Sequence, residues 1–260
     1  MRRANAIGTG GPRTTPDGAP ARRRPNPGGT RIGSYRLRRE SRTIGRAPRT
    51  SVRTNAVLEC FFDCSSPWTY LGFRNLQPIA ARHGVPVRWR PILVGGVFNA
   101  ANPSVYAGRA NPVPAKQAYM LKDLADWARA AGLTIRFPPS VFPVNSVKAM
   151  RGCLWLEPRG LLVPFAESVF EAYWSNDQDV SQDAVLAPLV ERLGVSAAAF
   201  SAGIGSPEVK GALRVNTDEL VDRGGFGSPT FFVDGEMFFG NDRLPLVSDA
   251  LARRASRAVP

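Results

Sequence analysis

The sequence predicts an α/β fold in which a helical block interrupts a small sheet. Three observations carry this: a β-α-β pattern opens the apolar part of the chain, amphipathic helical patterns fill its middle, and an α-β-β-α pattern closes it. Val57–Phe62 is a short apolar run of strand type. Asp63 to Pro67 forms a turn, and Trp68 to Ala80 continues with helical spacing, Pro67 suiting a first helical turn because its missing N–H needs no partner there. Val85–Ile92 is a second strand, and a β-α-β unit implies a parallel pair with a right-handed crossover.

Lys116 to Ala131 reads as a helix with Tyr119, Met120, Leu124 and Trp127 on one face and Gly132 at its end. Val147–Leu156, Leu162–Trp174 and Asp183–Leu193 are further amphipathic segments, and Glu208–Arg223 is stopped by Gly224-Gly225. Thr230–Val233 and Glu236–Phe239 flank Asp234-Gly235, a hairpin turn signal. A last helix runs from Asp242 to about Arg254. The expected organisation is an extension over 1–55, a first sheet segment over 56–97, a helical insertion over 98–205 and a second sheet segment over 206–260.

The net charge of +13 points at first to nucleic acid, but its distribution does not. Residues 1–55 hold fourteen Arg against Asp17 and Glu40, a charge of +12, which leaves +1 for the rest. The extension has almost no large apolar residues, so disorder is expected there. It lacks the apolar segment of a secretory signal, and no apolar run is long enough to span a membrane. Nucleic acid and membrane are therefore not the expected partners; an Arg-rich tail attracting phosphates is the non-enzymatic alternative.

Cys60, Cys64 and Cys153 are odd in number and show no C-x-x-C or zinc-type spacing, which fits a reducing, cytoplasmic setting and no metal. The one histidine, His83, lies just before Gly84 in a helix C-terminus pattern, so no Ser-His-Asp triad is expected.

Three clusters carry chemistry. Ser66-Pro67 sits at a strand-to-helix turn, where helix N–H groups favour an anion and a hydroxyl can hold a thiolate, although a serine there is also an ordinary N-cap. Gly227-Ser228-Pro229-Thr230 precedes a strand, and the Ser228–Pro229 bond is a candidate cis bond. Phe239-Gly240-Asn241-Asp242 is a glycine turn before a helix, with Asn241 or Asp242 as its cap.

Taken together, Phe62-Asp63-x-x-Ser66-Pro67-Trp68-Thr69-Tyr70-Leu71, Trp89-Arg90-Pro91-Ile92, Phe142-Pro143-x-Asn145, Gly227-x-Pro229-Thr230 and Gly240-Asn241-Asp242-Arg243-Leu244 resemble 2-hydroxychromene-2-carboxylate isomerases. These are relatives of kappa-class glutathione transferases and Dsb-type oxidoreductases. The resemblance spans about residues 57–254 and implies a thioredoxin-like fold with an inserted all-helical subdomain, and a homodimer. It places Ser66 where thioredoxin relatives carry the first cysteine and Thr69 where they carry the second. It implies glutathione as cofactor, its sulfur beside Ser66, its peptide against Ser228 and Pro229, and its γ-glutamyl end at Phe239, Gly240, Asn241 and Asp242.

The reaction implied is thiolate addition to a conjugated carbon of 2-hydroxychromene-2-carboxylate or trans-o-hydroxybenzylidenepyruvate, rotation, and release of the thiol. Asn99, Asn102 and Asn145 are the candidates for binding the aromatic acid. Naphthalene-pathway members carry a lysine near Phe98-Asn99 that is missing here. A kappa-like glutathione transferase and a thiol–disulfide oxidoreductase using Cys64 remain as alternatives.

Overall fold

The computed structural model describes residues 57–257. The expected disordered extension over 1–55 lies outside them. Four strands form one mixed sheet in the order β2-β1-β3-β4: β1 (Leu58–Phe62), β2 (Val87–Pro91), β3 (Thr230–Val233) and β4 (Glu236–Phe239). β1 pairs parallel with β2 and antiparallel with β3, and β3 pairs antiparallel with β4 through the turn at Asp234-Gly235. All five residues of β1 are buried, because helices cover both faces of the sheet. Leu58, Cys60 and Phe62 face the larger core; Phe61 faces a smaller one with Ile92, Val97, Leu220 and Phe232.

The first helix, α1 (Pro67–His83), starts where expected. Ser66 is its N-cap, accepting the Thr69 N–H, and Gly84 ends it in the left-handed conformation at φ 63°. His83 Nε2 lies 2.9 Å from Ser248 Oγ, joining this end of α1 to the last helix. A Cβ on Gly72 would come within 2.8 Å of the Pro229 ring, so the missing side chain lets α1 pass directly over the proline loop.

Between β2 and β3 come α2 (Val94–Ala101), α3 (Ser104–Ala110), α4 (Pro114–Ala130), α5 (Val147–Leu156), α6 (Leu162–Phe170), α7 (Asp183–Glu191), α8 (Ala197–Ile204) and α9 (Pro207–Asp222). After β4, a 3₁₀ turn at Asn241–Arg243 leads into α10 (Leu244–Arg257).

The structure departs from these expectations at five elements. The sequence reading has no α2, α3 or α8: α2 carries Gly95 and Gly96, poor helix formers, and α3 buries no side chain and so shows no apolar face. α8 is short and rich in alanine, its buried side chains being Phe200 and Ile204. On α4, Leu124 and Ala128 are buried, whereas Tyr119 is 65% exposed. The helix packs through a narrow stripe in its second half. The Leu162–Trp174 helix ends at Phe170 and continues as a π turn, Glu171–Ser175. Ala172, Tyr173 and Trp174 are buried in that turn, whose wider pitch departs from the 3.6-residue spacing that the sequence pattern assumed. Among the described residues, no helix is long and apolar enough to cross a membrane, and no group of His, Cys, Asp or Glu is placed to hold a metal.

Candidate active site

The C-terminal end of β1, the start of α1, the proline loop before β3 and the start of α2 meet at one buried residue, Asp63, through its backbone and its side chain. Its carboxylate accepts the Ser65 N–H at 2.9 Å through Oδ1 and the Val94 N–H at 2.8 Å through Oδ2. Its own N–H donates to Ser228 Oγ at 3.1 Å, and its carbonyl accepts the Ser66 N–H at 3.3 Å. Ser146, at the start of α5, also faces the carboxylate. Burial pushes the Asp63 carboxyl above its ordinary range, and the two backbone N–H bonds oppose that shift. Sequence reasoning places Asp63 within a motif and assigns it no part. The signal that could have found it is an acidic residue directly after an apolar strand.

Around this anchor, Ser66 is half-buried and its hydroxyl oxygen lies 3.3 Å from the carbonyl oxygen of Ser228, to which it donates. The Ser228–Pro229 peptide bond is cis, as expected. Thr69 is fully buried, its Oγ1 2.8 Å from Ser228 Oγ. Two hydroxyl pairings thus join the two segments. Among the described residues the Ser228 N–H makes no hydrogen bond.

The third predicted cluster is adjacent. The Gly240 N–H donates to Pro229 O at 3.0 Å, with Gly240 at φ 99°. Phe239 is exposed, its ring 4.5 Å from that of Phe226, and a Cβ on Gly227 would fall 2.7 Å from it. Asp242 is exposed and paired with Arg243. The Asn241 side chain, by contrast, is 3% exposed and turned inward, its Oδ1 accepting from Asn75 Nδ2 at 2.9 Å.

The three asparagines singled out for the substrate are spread along the helical segment. Asn99 is exposed on α2 and accepts from the Tyr106 hydroxyl at 2.9 Å. Asn102 donates to the carbonyl of Phe226 at 3.3 Å and so reaches the proline loop. Asn145 caps the Val147 N–H at 3.1 Å, one residue before Ser146 at the Asp63 carboxylate.

All three cysteines are free and buried. Burial pushes the Cys64 thiol well above its ordinary value, with the Asp63 charge next in effect, and burial raises Cys60 and Cys153 likewise. These thiols are held protonated, whereas a reactive cysteine needs an exposed site that favours the thiolate. Cys64 is further enclosed by Trp174, whose Nε1 donates to the Cys64 carbonyl at 2.8 Å. A cavity of about 730 Å³ opens beside Tyr70, Arg74 and Glu167, and another of about 460 Å³ beside Asn75, Trp127 and Asn241. Ser66 lines neither.

Residues 57–252 match the DSBA-like thioredoxin domain. The chain belongs to this family. It is 26% identical over 201 residues to the 2-hydroxychromene-2-carboxylate isomerase of Pseudomonas putida, covering 76% of this chain and 95% of that one. It is 28% identical over 232 residues to human glutathione S-transferase kappa 1, covering 84% and 97%. A solved structure of a 2-hydroxychromene-2-carboxylate isomerase superimposes with a TM-score of 0.66 at 26% identity, covering 77% of this chain and 97% of that chain. The DsbA-like thioredoxin fold with its helical additions is thus shared with proteins named both as isomerases and as glutathione transferases.

Proposed function

We propose that this member of the DsbA-like family is a glutathione-dependent isomerase. Its substrate would be 2-hydroxychromene-2-carboxylate, trans-o-hydroxybenzylidenepyruvate or a related aromatic keto acid. The observation that carries this reading is the Ser66 hydroxyl, 3.3 Å from the carbonyl of Ser228 at the N-terminus of α1, with every cysteine of the described chain buried. A site built this way offers a hydroxyl donor and the positive end of the α1 dipole to a sulfur, and no sulfur of its own.

The residues present fit a bound tripeptide thiol. Among the described residues Ser228 has a free N–H and a carbonyl held only by the rotatable Ser66 hydroxyl, suited to pairing with an extended peptide. When bound, glutathione supplies the thiolate that adds to the substrate and leaves it again. Ser66 turns its hydroxyl hydrogen from the Ser228 carbonyl to that sulfur, and the α1 N-terminus favours the negative charge. At the γ-glutamyl end the exposed Asp242 suits the ammonium. Backbone groups of Gly240 and Asn241 serve better than the Asn241 side chain, whose Oδ1 is engaged with Asn75 and whose Nδ2 is buried away from the surface. Phe239 covers the peptide. Asn99, Asn102 and Asn145 line the substrate side, within the helical insertion over 98–205.

The second reading, a kappa-like glutathione transferase, uses the same thiolate without returning it, and the 97% coverage of human glutathione S-transferase kappa 1 supports it. The oxidoreductase reading has the least support, since Cys64 is fully buried and protonated.

Titrating glutathione into the wild type and Ser66→Ala while following thiolate absorbance tests the proposal. The expected outcome is a depressed thiol pKa in the wild type and its loss in the variant, with turnover falling about a hundredfold, as for removal of one transition-state donor. No binding of glutathione to the wild type would end both glutathione readings. Recovery of free glutathione with an isomerised acid favours the isomerase, and a stable conjugate the transferase.

A further inference from the structure

We infer that Arg109 is the residue that binds the carboxylate of an aromatic acid at this site, an assignment that rests on the proposed function for its catalytic meaning. Two walls rise from the Asp63–Ser66 turn. The first is α2: its first N–H, from Val94, is fixed to the Asp63 carboxylate, and one turn later it presents Phe98. The second is the loop before α5: Phe142 packs against Phe137 at 5.1 Å and against Trp174 at 6.5 Å, and Trp174 is bonded to the carbonyl of Cys64. The two walls therefore both trace back to the residues beside Ser66.

Arg109, on α3, joins them. Its guanidinium carbon lies 5.6 Å from the centre of the Phe98 ring and 5.7 Å from that of Phe142. Tyr106, one turn earlier on the same helix, packs edge-on against Phe98 and bonds Asn99. Among the described residues no carboxylate pairs with Arg109, and its hydrogen-bond donors have no partner. By contrast Arg74, Arg88, Arg90 and Arg223 each pair with a glutamate.

An unpaired guanidinium held by two aromatic rings has the chemistry of a receptor for a flat anion. Its planar fork matches a carboxylate bidentately, while Phe98 and Phe142 provide apolar surface for a ring attached to it.

The test uses trans-cinnamate as the acid probe and methyl cinnamate as its uncharged counterpart, each titrated into the full chain with tryptophan fluorescence as readout. Arg109→Ala is expected to weaken cinnamate by roughly tenfold or more, the loss of a charge-assisted pair. It should leave methyl cinnamate within about twofold of wild type, and Arg109→Lys should restore part of the loss. Equal loss for acid and ester, no loss for the acid, or no binding of cinnamate by the wild type would each overturn the assignment. Glutathione is titrated into the same three proteins. A wild type that binds cinnamate through Arg109 but no glutathione would leave this assignment standing and end the proposed function. The opposite pattern would keep the glutathione site and remove Arg109.

Discussion

Glu59 and Asp63 are buried carboxylates at the two ends of the same strand-and-turn segment, and the protein satisfies them in opposite ways. Glu59 points to the α9 face of the sheet and is enclosed by guanidinium groups, with Arg223 at 2.7 Å, Arg90 at 3.2 Å and Arg88 at 3.7 Å. Arg90 and Arg223 both also hold Glu219 on α9, and Arg223 lies 3.7 Å over the Phe232 ring. Asp63 has no cation within ion-pair distance among the described residues; backbone N–H groups and hydroxyls surround it, and its carboxyl is raised by burial. The first arrangement ties a helix to a sheet. The second ties four backbone segments into one site, at an electrostatic cost that a purely structural contact would not need.

Several measurements bear on that contrast, the largest effect first. Glu59→Gln leaves Arg90 and Arg223 short of charge in a buried setting and should cost about 3 kcal/mol in urea denaturation. Glutathione binding, beyond the other end of β1, should stay unchanged. Asp63→Asn should cost less stability, about 1–2 kcal/mol, because one backbone N–H meets a donor in place of an acceptor. Its turnover should nonetheless fall roughly tenfold or more, since the Ser65 turn and the start of α2 lose their common carboxylate anchor. Equal ratios of stability loss to activity loss for the two variants would erase the distinction.

The pH dependence sharpens the same contrast. A carboxyl whose folded pKa lies above its unfolded value binds more protons folded than unfolded in the window between the two. Asp63 therefore favours the folded state most below its ordinary range, and that contribution is lost as pH rises through the raised folded value. Urea midpoints of the wild type should accordingly fall relative to Asp63→Asn as pH rises from the ordinary carboxylate range toward neutrality. A difference that stays constant with pH would show that Asp63 ionises as an exposed carboxylate does.

The smallest effect is expected at Cys64. Cys64→Ser places a hydroxyl in a buried apolar setting and should cost about 1 kcal/mol of stability. Turnover with glutathione should stay within roughly twofold of wild type. Loss of a disulfide-reducing activity in this variant would instead revive the oxidoreductase alternative.

Several elements are legible in the amino-acid order because their signals are local. The Ser66-Pro67 start and Gly84 end of α1, the Asp234-Gly235 hairpin and the strand-like β1 run each rest on conformational preferences of a few adjacent residues. The helices α2 and α3 are not legible, since Gly95 and Gly96 dilute one and the other buries nothing. The sequence could bring the Ser66, Ser228 and Gly240 clusters together only through resemblance to a family. The hydrogen bonds joining them span more than 150 residues of chain between Ser66 and Ser228.

The sequence alone determined the polarity of the chain's two parts, the α/β order of its elements and the absence of C-x-x-C. Composition and short-range spacing suffice for these. Only the tertiary structure decided that Asp63 anchors the site, that Asn241 turns inward to Asn75, and that Arg109 lies over both Phe98 and Phe142. Whether a polar side chain is a cap, an anchor or a free group depends on which distant segments fold against it, and local spacing carries no record of that.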